Sequence, residues 1–277
     1  MHPVITIALL TMHEAVRRRI LLAALLLGGA FLSIFATGFY FAHADIRSTP
    51  MPDGQQDFIF NMLSMAGLYA VNFLTIMASI LIPVDTVAGE IDSGVMQTIA
   101  SKPLARWHIL FGKWIGFVAV LAFYLAVMAG GVLSVTKLIS GFMVPHAALG
   151  LALMLMEGAL FVTITLAVGA RLSTLATGVF GFGLFGLAFI GGWMEQIGTL
   201  LGNGTTRNVG IVASLLVPSE ALWQLAAYNM QPSIMRDVNL TPFSPASVPS
   251  GAMIVWAACY LVVVLLIALR LLRTRDL

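Results

Sequence analysis

Only 9% of this 277-residue chain is charged, so each charged side chain calls for an explanation. Six of them, Asp85, Glu90, Asp92, Lys102, Arg106 and Lys113, crowd into "VDTVAGEIDSGVMQTIASKPLARWHILFGKW" between two apolar runs. The Gly112-Lys113 pair there is not a phosphate-cradling loop. Such a loop needs G-x-x-x-x-G-K-[ST], but Trp107 stands where its first glycine belongs and Trp114 follows the lysine. The chain therefore cannot hydrolyse ATP alone. His2, His13, His43, His108 and His146 lack metal-ligand spacing, so no metal site is expected. No Ser/His/Asp constellation and no intramembrane-protease or acyltransferase motif appears, so no catalytic residue is assigned. Cys259 is the single cysteine, which rules out an intrachain disulfide.

A second chemical oddity is Glu157, alone in "LMLMEGALF". An ionised carboxylate at a bilayer centre costs at least ~2.5 kcal/mol, so it must face a protein interior or carry a proton. Three readings stand: a substrate-path contact, a proton site, or a structural hydrogen bond to Asn72 or Thr163. Asn61 and Asn72 are eleven residues apart, three helical turns, and share a face with Thr75 and Ser79 nearby. That face either lines a path or knits helices together. Phe180, Phe182, Phe185 and Phe189 interleave with Gly178, Gly181, Gly183, Gly186, Gly191 and Gly192. Phe182 and Phe185 are candidates for an apolar path wall. The glycines fit tight packing, a dimer seam or a mobile gate.

The elements that must hold these groups are helices in lipid. The chain is 60% hydrophobic with mean hydropathy +0.98, whereas a soluble domain is about 25% charged. A spanning helix needs roughly 20 apolar residues. Six runs qualify: Ile20–Phe41, Phe58–Val84, Trp107–Thr136, Ala147–Gly169, Leu172–Met194 and Gly251–Arg270. The expected class is an all-α polytopic membrane protein with one transmembrane domain over residues 1–277. Alternation over about ten residues, as in a β-barrel, is absent. The first run is too long for a signal-peptide core and reads as a retained span. Net charge +2 reflects loop arginines, and no basic–aromatic surface points to nucleic acid.

With the N-terminus inside, the cytoplasmic face receives Arg17, Arg18, Arg19, Lys102, Arg106, Lys113, Arg171, Arg270, Arg273 and Arg275. The outer face receives Arg47, Lys137, Arg207 and Arg236. The positive-inside rule thus predicts both termini in the cytoplasm of a cell (inner) membrane. Residues 3–19 predict an amphipathic interfacial helix, with Ile5, Leu9, Met12 and Val16 at helical spacing. Residues 195–250 form a long outer segment. In it, Ser219 is expected to cap a short helix from Glu220 that rests at the outer interface.

The polar stretch becomes a cytoplasmic excursion over 85–103. Pro83 weakens the second span, Gly89 and Gly94 permit sharp turns, and Asp92 or Ser93 can cap a short helix. Val95, Met96, Ile99 and Ala100 form one face and Gln97, Thr98 and Ser101 the other, until Pro103 stops it. Such a helix lies on lipid or serves as a knob for a soluble partner.

"GEIDSGVMQTIASKPLARWHILFGKWIG" resembles the segment after the second span of ABC-2-type transporter permeases. Gly89, Glu90, Gly94, Ser101, Pro103, Arg106, Gly112 and Lys113 match that pattern, while Val95 and Ala105 depart from it. The resemblance extends to the N-terminal helix, the six spans and the "PSEALW" helix, and is nearest to the subgroup with the nitrous-oxide-reductase maturation permease. It implies that the excursion is a coupling helix, carried by Gly89, Glu90, Asp92, Gly94, Met96, Gln97, Ile99, Ser101, Pro103 and Arg106. This helix would dock on a separate cytoplasmic ATPase that binds ATP and Mg. It also implies a second permease copy, and it allows a periplasmic partner. Glu90 is expected to pair with Arg17, Arg18 or Arg19. The implied function is the permease subunit of an ATP-driven exporter; the alternative is an ATP-independent secondary carrier or channel.

Overall fold

The computed structural model describes residues 3–17, 19–49, 52–85, 89, 105–232 and 248–274. All regular structure among these residues is helical, in the order α1 (Pro3–Arg17), α2 (Arg19–Ser48), α3 (Asp53–Leu81), α4 (Arg106–Ser140), α5 (Ala147–Gly169), α6 (Thr174–Leu200), α7 (Gly204–Leu216), α8 (Ser219–Asn229) and α9 (Ala252–Arg273). Six of them, α2 to α6 and α9, are long and apolar enough to cross a membrane. The chain is a polytopic α-helical membrane protein.

α5 is the axis of the bundle. It packs on α3, α4, α6, α8 and α9 and buries residues on every side, as its nearly unbroken apolar sequence demands. α2 and α9 are peripheral: α2 buries only Leu21, Gly28, Phe39 and Ile46. Their large side chains, such as Leu26, Ile34, Val262 and Leu266, point outward, the arrangement a lipid surround permits. The helix predicted for the second span stops at Leu81, two residues before Pro83, whose ring cannot continue the ladder.

α1 lies along the start of α4. Its inward stripe is Val4, Ala8, Thr11 and Ala15. The larger apolar residues predicted to share a face divide differently: Ile5, Leu9 and Val16 are exposed and Met12 is partly buried. Close approach depends on two glycines of α4. A Cβ on Gly112 would meet the Val4 carbonyl at 2.9 Å, and one on Gly116 would meet the Ala8 carbonyl at 2.8 Å. Backbone cannot move aside as a side chain can. Gly116→Leu is therefore expected to pry α1 away at a cost of about 1–3 kcal/mol. The thermal midpoint of the purified chain reads this. Gly130→Ala, where a methyl group would meet nothing within 4 Å, should leave the midpoint unchanged or raise it.

The segment after α6 does not stay at the rim. Asn203 accepts the N–H groups of Thr205 and Thr206 (3.1 and 3.2 Å) and so caps α7. α7 then runs back along α6, with Gly198 against Arg207 and Gly191 against Ala213. At Val217–Pro218 the chain bends by 102° into α8, which returns beside α5. The tip is deep, because Val217 packs in one cluster with Ile76, Phe161 and Ile164. The return ends where Asn61, near the start of α3, donates to the Met230 carbonyl (3.2 Å). This corrects the expectation of a helix resting at the outer interface: Ala221 to Ala227 of α8 are all buried. The helix also starts one residue early, and the hydroxyl of Ser219, expected as its cap, is buried without a hydrogen-bond partner.

Candidate functional site

Two places bring together the chemistry singled out in the sequence. The first is the end of the bundle where α1, the start of α4 and the end of α9 meet. Arg106 opens α4 and donates to the Leu272 carbonyl at 2.8 Å. That carbonyl belongs to the last turn of α9, where a cation opposes the negative helix end. Arg171, in the turn between α5 and α6, donates to the Thr274 hydroxyl at 2.6 Å. Thr174 donates to Asp85 at 3.1 Å. Lys113 is buried in α4, one residue from the Gly112 contact with α1. The basic residues thus staple α4, α5 and α9 together beside the excursion. Gly89 is partly buried, and a Cβ there would run into the Asp85 carboxylate. Arg17 and Arg19 are exposed. Glu90, Asp92, Gly94, Met96, Gln97, Ile99, Ser101, Pro103 and Arg18 lie outside the described residues.

The second place is inside the bundle. Glu157 of α5 is 1% exposed, and Asn72 of α3 hydrogen-bonds its side chain. Thr163, the other partner considered, instead accepts the Trp114 indole N–H at 2.8 Å and donates to the Ala159 carbonyl at 2.7 Å. A second carboxyl that the sequence did not single out, Glu220, stands in the first turn of α8, the helix that packs on α5. Glu220 and Gln224, one turn apart, both press on Gly192 of α6: a Cβ there would meet the Glu220 Cδ at 3.0 Å and the Gln224 Nε2 at 3.2 Å. Tyr69 of α3 closes the group, bonded to Trp193 and 5.3 Å from the ring of Trp223.

The polar face of α3 looks inward along its length. Besides Asn61 and Asn72, the hydroxyl of Ser64 meets that of Thr136 at 3.0 Å. Between the two alternatives for this face, cross-helix bonds favour knitting. Phe182 and Phe185 are partly buried on α6. Phe185 joins a ladder of rings, 5.8 Å from Phe73, 6.0 Å from Phe161 and 6.1 Å from Phe189. The glycines of α6 divide: Gly191 and Gly192 face α7 and α8, while Gly183 and Gly186 face open space.

The family model for ABC-2 family transporter proteins matches residues 5–277, nearly the entire chain. This chain is a member of the ABC-2 transporter family. No curated protein matches it. ABC-2 membrane proteins lack a catalytic ATPase domain, and membership implies partnership with an ATPase subunit. Among the described residues no group of three or more His, Cys, Asp or Glu could hold a metal ion.

What sequence reasoning missed in this ABC-2 protein is that Glu220 turns inward, against Gly192 of α6. A signal was present. In "SEALWQLAAYN" the only strongly polar residues of the first two turns are Glu220 and Gln224, four apart on one face, with apolar residues on the others. A helix resting at the interface would show the opposite balance.

Proposed function

We propose that the chain is the membrane-spanning permease subunit of an ATP-binding cassette exporter, driven by a separate cytoplasmic ATPase that binds ATP and Mg. The observation that carries this reading is the family match over residues 5–277. Support comes from the basic end of the bundle, where Arg106 and Arg171 tie α4 and the α5–α6 turn to the end of α9. In this reading that end faces the cytoplasm, both termini lie there, and residues 85–103 dock on the ATPase. The exposed stripe of Ile5, Leu9 and Val16 on α1 rests in the lipid interface, with Arg17 and Arg19 at headgroup level. Two permeases and two ATPases make the working unit. The lipid-facing α2 and α9 leave surface for a second copy, and the family resemblance allows a periplasmic partner for a signalling rather than a cargo role.

The test is purification of the chain with its ATPase, followed by hydrolysis measurements in the presence and absence of the permease and of candidate amphipathic cargo. Co-purification and cargo-stimulated hydrolysis are expected. Cargo movement by the chain alone in vesicles, with no ATPase, would instead establish the secondary carrier.

A further inference from the structure

α6 and α9 both pack on α5, yet they make little or no contact with one another. A crevice of about 410 Å³ is left between them. Ile164 and Val168 of α5 form its floor, and Leu184 of α6 and Ile267 of α9 stand in its walls. Apart from the Tyr260 hydroxyl at one end and Arg171 at the other, the described lining offers no polar side chain. Tyr260 packs on the cluster that holds Val217, the tip of the α7–α8 hairpin, and the lining goes no further along α9 in that direction. From Tyr260 to Leu271 it follows eleven residues of α9, roughly 16 Å at the rise of an α-helix. Half of a bilayer's hydrocarbon core is about 15 Å. The crevice is therefore one leaflet deep.

Its mouth is cationic. Arg171 gives one N–H to Thr274 at 2.6 Å, and its side chain is exposed, so the rest of its five donors remain for another acceptor. Thr274 donates to the Arg270 carbonyl one turn back (3.1 Å), which puts the exposed Arg270 on the same face of α9. Among the described residues no carboxylate bonds to either guanidinium; Asp85, at the same end, accepts the Thr174 hydroxyl of α6. A guanidinium fork matches a phosphate, and basic pockets between spanning helices select anionic headgroups. We propose that the crevice between α5, α6 and α9 binds one anionic phospholipid, with an acyl chain along its apolar walls and its phosphate on Arg171, flanked by Arg270. The lipid comes from the leaflet that meets this basic pole. Its chain fills the gap that helix packing leaves, and its phosphate bridges the α5–α6 turn to the end of α9. Bound lipid thereby clamps α9, the span that with α2 has the least buried surface.

This inference goes beyond the exporter reading and does not depend on the ATPase, so its test can fail separately. The full chain is stripped of lipid in detergent and titrated with phosphatidylglycerol or with phosphatidylcholine of the same chains. Native mass spectrometry reads retained lipid, and the thermal midpoint reads stabilisation. One phosphatidylglycerol is expected to bind at least about fivefold more tightly than phosphatidylcholine, the effect of one basic residue at a membrane surface, and to raise the midpoint. Arg171→Gln keeps an amide donor for Thr274 and removes the charge, so it should lose about that factor. Ile267→Trp fills the crevice from a residue that is 46% exposed and should abolish the preferred binding. Val262→Trp, 54% exposed on α9 but outside the lining, should keep it. Should Ile267→Trp pack poorly, its midpoint without lipid shows this and Arg171→Gln carries the test. Equal retention of the two lipids would overturn the site, as would inorganic phosphate alone raising the midpoint as far as phosphatidylglycerol. Unchanged binding by a well-folded Ile267→Trp would take the lipid out of the crevice. Self-association abolished by Ile267→Trp and kept by Val262→Trp would give the crevice to a second copy of the chain and end the lipid assignment.

Discussion

Gly210→Val is expected to leave the chain unable to hold its α7–α8 hairpin. A Cβ at Gly210 would lie 2.5 Å from the Glu195 backbone nitrogen and 2.6 Å from the Gly191 carbonyl. Both obstacles are backbone of α6, so neither can swing away. Replacing a mid-helix glycine returns at most about 1 kcal/mol of helix propensity. Overpacking against unyielding neighbours costs about 1–3 kcal/mol for a methylene or two, and valine adds three carbons. The clash wins. The expected readout is a fall of several degrees in thermal midpoint, with new protease sensitivity around residues 200–220. Gly183→Ala, on α6 and facing open space, should be neutral or mildly stabilising. Equal losses in both variants would mean that α6 and α7 do not pack as described.

Glu90→Lys is expected to uncouple the permease without unfolding it. In the proposed function, Glu90 lies in the docking segment, and the sequence expectation is that it pairs with the arginines of residues 17–19. Reversing its charge converts an attraction into a repulsion among cations. Expression and thermal midpoint should hold within about 0.5 kcal/mol, as for surface substitutions generally. Cargo-stimulated hydrolysis by the partner ATPase should fall to the level of the ATPase alone. Full stimulation by Glu90→Lys would remove Glu90 from the coupling machinery.

The lipid-spanning architecture was readable because bilayer thickness imposes a length that few other constraints mimic. Ala147–Gly169 is a helix with the bounds its apolar run gave. Where polarity was used to end a span, the reading fell short. The fifth apolar run ends at Met194, just before Glu195 and Gln196, yet α6 continues to Leu200. Glu195 is tolerated because Ser214, brought back by α7, meets its carboxylate at 3.5 Å. Polarity therefore marked a contact with another helix rather than exit into water. The same logic hid Glu220. Glu157 was conspicuous against leucine and methionine, whereas Glu220 stood between serine and alanine in what looked like a surface loop. The 102° bend turns α8 back beside α5, and hydrophobic periodicity carries no information about a bend at Val217–Pro218.

That bend also bears on an arithmetic of crossings. If α7 goes in and α8 comes back out on the side it entered, the pair adds nothing to the six helices long and apolar enough to cross, and an even number of traverses remains; if the pair is one broken span, the number is odd. The start of α4, which holds α1, and the final turn of α9, whose Leu272 carbonyl takes the Arg106 hydrogen bond, share one pole of the molecule. Reporter fusions attached beyond α1 and beyond α9 should light up in the same compartment, and one placed in the α7–α8 turn should sit in neither aqueous phase.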